Sequence, residues 1–371
     1  MAKLGDIATY INGYAFKPQD WSDEGIPIIR IQDLTGNSYQ ANRYNGEYAS
    51  KYEVNDGDVL ISWSASLGVY IWHGEKAVLN QHIFKVVFDK ERISKDFFVH
   101  QVGLILENAA SDAHGATMKH LTKPIFDALP FYLPPYEKQC EIAEILDKVT
   151  SLISLRKQQL AKLDELVKVR FVEMFGDPVV NSKRWPVETI ENHIDLLTGF
   201  PFDSSGYVSK GVNICGGLII MPQKIDWSAC KHWPQITGYE DYILRPNDIV
   251  IALDRPWISN GFKIAMVDRE HLPALLIQRT ARIRAVDINQ HYLMQSLLLG
   301  RFDKHCNITG SLVPHISPKD IKSYSVMIPP IELQNQFATF AERVDQEKRT
   351  VQQSLEKLEL MKKVLMQEYF G

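Results

Sequence analysis

Histidine and cysteine side chains are the first places to look for metal chemistry, and their spacing here predicts none. His114, His120 and His315 lack the nearby carboxylate and second histidine that a metal site needs. The four cysteines are Cys140, Cys215, Cys230 and Cys306. They form no Cys-x-x-Cys pair and no regular pattern, so neither a zinc site nor a disulfide framework is indicated. A structural role for the histidines and a reducing compartment are therefore expected.

Group-transfer motifs are also incomplete. Leu133-Pro-Pro-Tyr is similar to the (Asp/Asn/Ser)-Pro-Pro-(Tyr/Phe) loop of amino-methyltransferases, but leucine cannot hydrogen-bond the target amine, and Ile328-Pro-Pro-Ile lacks the aromatic ring as well. Cys215-Gly-Gly-Leu has the wrong spacing for a turn that holds S-adenosylmethionine or phosphate. No Gly-x-Ser-x-Gly elbow occurs, and no nuclease-like acidic motif lies in a plausible strand. The sequence thus predicts no catalytic residue, no cofactor of its own and no enzyme activity.

The chain contains an internal repeat. Residues 115–176 match residues 310–371 without a gap, about 195 positions later. Since this period is far too long for a solenoid, a whole domain has been duplicated. Three shorter upstream matches are Asn12-Gly-Tyr-Ala-Phe with Thr198-Gly-Phe-Pro-Phe, Gly57-Asp-Val-Leu-Ile with Asn247-Asp-Ile-Val-Ile, and Gly68-Val-Tyr-Ile with Gly261-Phe-Lys-Ile. Each half is a divergent globular part followed by a better matched tail.

Both tails have a helical pattern. Each begins at a Pro-Pro pair, and an acid, Glu137 or Glu332, follows where the helix dipole favours negative charge. Apolar residues then recur in a seven-residue cycle, which predicts an uninterrupted helix of roughly 40 residues and, for two such helices, an antiparallel coiled coil. The predicted seam residues are Ile142, Leu146, Val149, Ile153, Leu160, Leu163 and Val167, then Phe337, Val344, Val351, Leu355, Leu358 and Leu365.

Charged residues interrupt each seam at different repeat positions. Arg156 corresponds to Val351, and Lys348 corresponds to Ile153. Polar residues in a seam commonly set the register and orientation of the helices. The alternative is that these side chains are simply exposed on a loosely wound helix.

Length and composition limit the class of protein. A chain of 371 residues with 45% hydrophobic residues can form two to three domains with separate cores. No signal-peptide core and no apolar run of about 18 residues is found, so a soluble cytoplasmic protein is expected. The formal net charge is −4, and no segment is strongly basic. A protein that binds DNA phosphates alone usually has an excess of lysine and arginine.

The globular halves combine short strands with helices. Five β-rich runs begin at Ile26, Asp58, Ile83, Asp248 and Thr280, and helices are predicted over 96–110 and 289–303. The predicted fold class is α+β. It comprises mixed α/β domains at 1–135 and 177–330, separated by long helices at 136–176 and 331–371, with an internal pseudo-two-fold repeat.

The repeated pattern resembles a known family. A globular half that closes with Gly-x-x-x-x-His-(Leu/Ile), continues through Pro-Pro-x-Glu-x-Gln and ends in a long helix is similar to the DNA-specificity subunit of type I restriction–modification systems. The opening segments Lys3-Leu-Gly-Asp-Ile and Gly25-Ile-Pro-Ile-Ile-Arg-Ile-Gln-Asp-Leu also resemble this family. The resemblance covers essentially the whole chain, and it rests on many positions rather than on one motif.

The resemblance implies a function and partners. Two target-recognition domains would each read one half of a bipartite sequence in double-stranded DNA, and the helical spacer would set the gap between the halves. Two methyltransferase subunits, which bind S-adenosylmethionine and modify adenine, would dock on the helices, and restriction subunits would join them. These partners would supply phosphate contacts. Gln139 and Gln334 match between the tails outside the seam, which favours a shared partner as the cause of the match.

Polar loops with aromatic residues are the candidates for contacting DNA bases. In the first half they are Ser62, Trp63, Ser64, Ser66, Thr117, Lys119 and His120, and in the second Asp254, Arg255, Trp257, Ser259, Asn260, Ser311 and His315. A surface or packing role is the simpler alternative for any one of them. Because His120 and His315 match between the halves, they are expected to serve the shared framework.

Two other classes of protein are compatible with the sequence. The first is a coiled-coil scaffold whose heads bind protein, which the weak charge favours. The second is the recognition region of a fused methyltransferase-nuclease, which would look the same over these residues. The start at Met1 and the finish at the second Phe-Gly favour a free-standing subunit.

Overall fold

The chain folds into two compact units. The computed structural model describes residues 1–36, 42–112, 122–306 and 314–371. Unit 1 comprises Met1–Lys157 with Gln353–Gly371, and unit 2 comprises Gln158–Gln352. These boundaries fall inside the two long helices. Each unit therefore combines one globular half with the first part of its own helix and the last part of the other helix.

The globular part of unit 1 is built from short strands and helices. Its helices are α1 (Leu4–Ile7), α2 (Ile31–Leu34), α3 (Lys95–Asp112) and α4 (Lys123–Asp127), and they are followed by α5 (Tyr136–Phe175). Its strands are β1 (Ala2–Lys3), β2 (Thr9–Asn12), β3 (Ile26–Ile29), β4 (Arg43–Tyr44), β5 (Glu53–Val54), β6 (Val59–Ser62), β7 (Gly68–Ile71), β8 (Ala77–Leu79), β9 (Ile83–Val87) and β10 (Pro130–Phe131).

Unit 2 has the same kinds of elements. Its strands are β11 (Val187–Thr189), β12 (Ile194–Thr198), β13 (Val212–Cys215), β14 (Ile220–Met221), β15 (Lys224–Ile225), β16 (Lys231–Trp233), β17 (Ile249–Ala252), β18 (Trp257–Ile258), β19 (Gly261–Phe262), β20 (Ile264–Met266), β21 (Ala274–Leu276), β22 (Thr280–Ala285) and β23 (Ser325–Met327). Its helices are α6 (Gln290–Leu299), α7 (Phe302–His305) and α8 (Pro318–Lys322), followed by α9 (Ile331–Phe370).

The main sheet is built the same way in both units. Its antiparallel strand order is β2-β9-β6-β7 in unit 1 and β12-β22-β17-β20 in unit 2. A second sheet pairs β3 with β8, or β13 with β21, in parallel. The β-rich runs predicted from the sequence supply β3, β6, β9, β17 and β22. The prediction of an α+β fold with an internal repeat is therefore confirmed.

One of the upstream sequence matches was wrong. Val59 pairs with Ile71 across β6 and β7, whereas the equivalent Ile249 pairs with Met266 across β17 and β20. Gly68 consequently corresponds to Lys263 and not to Gly261. Unit 2 has an extra hairpin, β18 and β19, before β20. The glycine of this hairpin produced the misleading match.

The two predicted tails are single helices, α5 and α9, of 40 residues each. Within unit 2 the two helices run antiparallel, because residues late in α5 contact residues early in α9. The rings of Phe171 and Phe337 meet at 5.5 Å between centroids, and Lys348 forms an ion pair with Asp164. The charged residue in this seam thus has a partner on the facing helix, as expected for a residue that sets register.

Unit 1 repeats the antiparallel packing. The Arg156 Nε donates a hydrogen bond to the Ser354 Oγ (3.2 Å), so this second seam interruption also contacts the facing helix. Every predicted seam residue of both helices is buried or half-buried. A loosely wound helix with exposed interruptions is therefore not what the chain forms.

The last aromatic residue of each helix closes a core. In unit 1 Phe370 packs edge-on against the ring of Phe97 in α3, with centroids 5.4 Å apart. In unit 2 the equivalent Phe175 packs edge-on against Tyr292 in α6, at 4.7 Å. The repeated Phe-Gly ending therefore matches because each helix end fills the same position in a globular core.

The matching glutamines also have an intramolecular role. Gln139 is 1% exposed, its Oε1 accepts from the Ser94 N–H, and its Nε2 donates to the Pro134 carbonyl (both 2.9 Å). Gln334 repeats both hydrogen bonds in unit 2 at 2.8 Å. Buried amides whose groups are already bonded have nothing to offer a partner. The inference from these two residues to a partner surface is corrected accordingly, because they join the start of each helix to its own unit.

Candidate functional site

Three chain segments meet at one end of the main sheet in unit 1. The Trp63 N–H donates to the His82 carbonyl (3.2 Å), and the Gln81 N–H donates to the Tyr14 carbonyl (2.8 Å). The Trp63 indole Nε1 donates to the Asn12 Oδ1 (3.2 Å). The ends of β2 and β6 and the turn before β9 are thus joined into one surface.

Unit 2 makes the same connections with different residues. The Leu253 N–H donates to the Arg279 carbonyl (2.9 Å), and the Gln278 N–H donates to the Phe200 carbonyl (2.8 Å). We call the two surfaces the sheet-end surfaces. The sheet-end surface of unit 1 comprises Asn12, Tyr14, Ser66, Gln81 and His82. The sheet-end surface of unit 2 comprises Arg255, Ser259, Asn260, Gln278, Arg279 and His315. Backbone bonds therefore define equivalent positions in the two units.

A glycine makes each junction possible. A Cβ atom on Gly13 would lie 2.0 Å from the Asn80 carbonyl oxygen, and one on Gly199 would lie 1.9 Å from the Ile277 carbonyl oxygen. No side chain fits at such distances, so only glycine lets β2 or β12 pass this close to the turn. This contact accounts for the match between Asn12-Gly and Thr198-Gly.

The first-half candidates separate into buried and exposed residues. Ser62 is fully buried and its Oγ donates to the Ser64 carbonyl (3.2 Å), while Ser64 is itself 6% exposed. The Trp63 ring stacks on Phe84 at 5.6 Å, so it belongs largely to the core. Ser66 is exposed. In this structure Ser62 and Ser64 shape the turn, and Ser66 faces solvent.

The second-half candidates are more accessible. Arg255 and His315 are exposed, and Asp254 is half-buried. The Arg279 Nη1 donates to the Asp254 Oδ2 (3.0 Å), and Asp254 forms a β-bridge with His315. Asp254, Arg255, Arg279 and His315 are thus brought together at one edge of the sheet-end surface.

The candidate residues in the extra hairpin also separate into one that packs against the core and two that are exposed. Trp257 stacks on Phe262 at 4.9 Å and packs against the core, so its ring mainly stabilises the hairpin. Ser259 and Asn260 form the exposed tip between β18 and β19. The hairpin therefore presents two short polar side chains at its tip.

Positive charge collects in unit 2. Lys263 is 7% exposed, and its Nζ donates to the Gly217 carbonyl. Burial lowers the pKa of Lys263, and the positive charge of Arg255 lowers this pKa further, while Asp254 raises it. Asp254 thus forms an ion pair with Arg279, and Arg255 and Lys263 are close enough to influence each other. Among the described residues, the sheet-end surface of unit 1 carries polar and aromatic side chains and no lysine or arginine.

The turn before β9 and β22 was missed by the sequence reasoning. Gln81 and His82, and Gln278 and Arg279, lie at the sheet-end surfaces but were not among the candidates. The internal repeat could have revealed these residues. A leucine followed two positions later by a glutamine, Leu79 and Gln81 or Leu276 and Gln278, precedes a predicted strand in both halves.

Some predictions lie outside the described residues, namely those for His114, Thr117, Lys119, His120 and Ser311. Within residues 1–36, 42–112, 122–306 and 314–371, no group of three or more His, Cys, Asp or Glu side chains could hold a metal ion. In the same ranges no helix has the length and apolar character to cross a membrane. The framework role of His315 stays a prediction.

The geometry defines a class of protein. It has two α+β units of one pattern, joined to paired helices, each with a solvent-facing polar surface at the same end of its main sheet. The chain is thus a duplicated protein in which one scaffold carries two different surfaces.

Comparisons with known proteins show which proteins the chain resembles. Residues 1–165 match the type I restriction modification DNA specificity domain. The chain is 25% identical, over 99% of its length and 90% of the relative, to the type I restriction enzyme MjaVIII specificity subunit of Methanocaldococcus jannaschii. It is 29% identical to the EcoBI specificity subunit of Escherichia coli, over 61% of this chain and 44% of that protein.

Solved structures share the fold. The type I restriction–modification S subunit of M. genitalium has a TM-score of 0.58 at 14% identity, covering 100% of this chain and 95% of that one. A structure from work on complex assembly and conformational transition of the type I system has a TM-score of 0.52 at 15% identity, covering 100% and 96%. The chain is thus similar over nearly its whole length to type I restriction–modification specificity subunits, and residues 1–165 match the DNA specificity domain of these proteins.

Proposed function

We propose that this chain reads a DNA target made of two half-sites, one for each unit, and performs no bond-making or bond-breaking step itself. The supporting observation is that, among the described residues, one backbone scaffold carries polar and aromatic side chains in unit 1 and two arginines in unit 2. Base edges differ in their hydrogen-bond donors and acceptors, so two different surfaces suit two different base sequences.

The proposed partners are double-stranded DNA, two copies of a methyltransferase subunit, and restriction subunits. S-adenosylmethionine would bind to the methyltransferase, and this chain would need no cofactor. With a net charge of −4, the chain itself offers few phosphate contacts, and the partners would provide them. The proposed compartment is the cytoplasm, where bacterial and archaeal DNA is accessible.

Repeated apolar residues on the helices support docking of two identical partners. Leu166 and Val169 in unit 2 are 45% and 55% exposed. Their equivalents in unit 1, Met361 and Val364, are 51% and 52% exposed. Each pair is spaced three residues apart, so the two side chains share one helix face. An apolar surface repeated at the same position suits two copies of one protein.

A charge on either surface should remove one partner. We expect Val169→Glu or Val364→Glu each to lower the bound methyltransferase from two copies to one, and the double variant to bind none, because a carboxylate would be buried unpaired at the interface. Native mass spectrometry of the purified complex measures the stoichiometry.

Neighbouring exposed lysines give matched controls. Lys168→Ala and Lys363→Ala change equivalent solvent-facing positions beside the apolar pairs and should keep two copies bound. Two bound copies in the double glutamate variant would place the docking surface elsewhere on the chain.

DNA selection tests the proposed function. A randomised DNA pool is incubated with this chain, with and without a cognate methyltransferase subunit, and the bound fraction is sequenced. Two short motifs at a fixed spacing should be enriched, mainly in the presence of the partner. If a fully assembled complex enriches no motif, the proposal is wrong, and a protein-binding scaffold becomes the better explanation.

A further inference from the structure

Two positions in each unit share a backbone conformation that side chains rarely adopt. Ala65 and Arg255 follow β6 and β17 at equivalent points and have φ values of 58° and 46°. His82 and Arg279 precede β9 and β22 and have φ values of 71° and 63°. Residues other than glycine are uncommon in this left-handed region. Its occurrence at the same positions in both units shows that the scaffold imposes it, whatever side chain is present.

The side chains at these positions differ in chemistry. Unit 1 has a methyl group and an imidazole, while unit 2 has two guanidinium groups. The preceding position differs as well, since Ser64 is buried but Asp254 is half-buried and accepts a hydrogen bond from Arg279. One scaffold thus presents different side chains at identical points, which is what a surface needs in order to read different sequences.

A hydrogen bond restrains the orientation of the exposed Arg279 side chain. Its side chain is 73% exposed, and Asp254 bonds one Nη1 hydrogen at 3.0 Å. This bond restrains the guanidinium while its other N–H groups stay available, since a guanidinium has five donors. A planar pair of donors matches the O6 and N7 acceptors that guanine presents in the major groove. Arg255 is exposed beside the same aspartate, so a second donor group lies within the same surface.

We propose that positions 65 and 82 in unit 1, and 255 and 279 in unit 2, determine base preference, and that Arg279, restrained by Asp254 and assisted by Arg255, makes unit 2 select guanine in its half-site. This inference rests on the proposed DNA-reading function. Positions 64 and 254 act by setting the geometry of the neighbouring side chain.

The experiment uses the assembled complex and the selected DNA. A photo-crosslinking amino acid at Ser66 or at Ser259 first assigns each half-site to its unit. Arg279→Ala should then abolish the guanine preference at one position of the unit 2 half-site and weaken binding to the selected DNA by about 5- to 150-fold, the range for losing one bidentate base contact. Arg279→Lys should also relax this preference, because lysine lacks the planar pair of donors.

Two controls keep the outcomes separate. Arg269→Ala removes an exposed arginine beyond the other end of β20, and both half-sites should stay unchanged. The unit 1 half-site should stay unchanged in Arg279→Ala. Weaker binding with an unchanged motif would mean that Arg279 contacts phosphate, and it would overturn the inference, as would a unit 2 half-site without guanine. Failure of the wild-type complex to select any motif would instead reject the proposed function.

A transfer experiment tests the same positions in the opposite direction. Ser64→Asp, Ala65→Arg and His82→Arg together give unit 1 the side chains of unit 2. The unit 1 half-site should then gain a guanine, while the unit 2 half-site keeps its sequence. Because this variant changes a buried serine, folding is checked by circular dichroism. A folded triple variant with an unchanged unit 1 half-site would overturn the inference.

Discussion

Replacing Phe175 by alanine is expected to lower the free energy of unfolding of unit 2 by about 3–5 kcal/mol, the usual cost of removing a buried phenylalanine ring. Phe175 is fully buried. Its ring contacts Phe171, Tyr292 and Phe337, with centroids 5.0, 4.7 and 5.6 Å away. The cavity would join the end of α5 to the globular core of unit 2, and the surrounding rings are too rigid to fill it.

The equivalent residue of unit 1 is the matched comparison. Phe370 occupies the same position in the repeat but is only half-buried. Phe370→Ala should therefore cost less, about 1–2 kcal/mol, because less apolar surface is removed from the interior. Hydrogen–deuterium exchange in a urea series measures the stability of each unit separately. Equal losses in the two variants would contradict the burial argument.

Replacing Gly199 by alanine is expected to destabilise unit 2 by about 3 kcal/mol or more, since an overlap with the main chain cannot be relieved by turning a side chain. The new Cβ would lie 1.9 Å from the Ile277 oxygen, 2.2 Å from its carbonyl carbon and 2.8 Å from its Cα. The turn that carries Gln278 and Arg279 would have to move. We therefore expect loss of base preference in the unit 2 half-site together with lower stability.

A second glycine separates this clash from the general effect of adding a methyl group. Gly103 lies within α3, and a Cβ there would meet only the Val69 Cγ1, at 3.7 Å. Gly103→Ala should stabilise unit 1 by about 0.5–1 kcal/mol through helix propensity. Urea unfolding and DNA selection are measured for both variants. Wild-type stability and an unchanged half-site in Gly199→Ala would refute the close approach of the two segments.

Local patterns in the sequence were sufficient for the helices and the main strands. The seven-residue cycle from Ile142 to Val167, the Pro-Pro starts and the absence of glycine or proline predicted two uninterrupted helices, and α5 and α9 are such helices. The runs at Asp58 and Ile83 predicted two strands, which the structure shows as β6 and β9, neighbours in the main sheet. These features depend on residues close together in the chain, so a single sequence contains the information.

Burial within the candidate site depended on contacts that the sequence does not display. Ser62 and Ser66 lie four residues apart in similar polar surroundings, yet only Ser66 faces solvent. Trp257 looked like a loop aromatic, but Phe262 stacks on it. Gln139 and Gln334 looked like surface matches, and both are buried amides. In each case the partner comes from another element, and its approach is set by strand register or helix docking.

The sequence by itself determined the duplication, the two long helices, the α+β class and the resemblance to type I specificity subunits, because repeats and periodicity are properties of the chain read in order. Only the tertiary structure decided which residues form the sheet-end surfaces. Asp254 and Arg279 are 25 residues apart and meet because β17 pairs with β22. Gly199 meets Ile277 for the same kind of reason. Strand pairing brings distant segments together, and no local pattern specifies which side chains then share a surface.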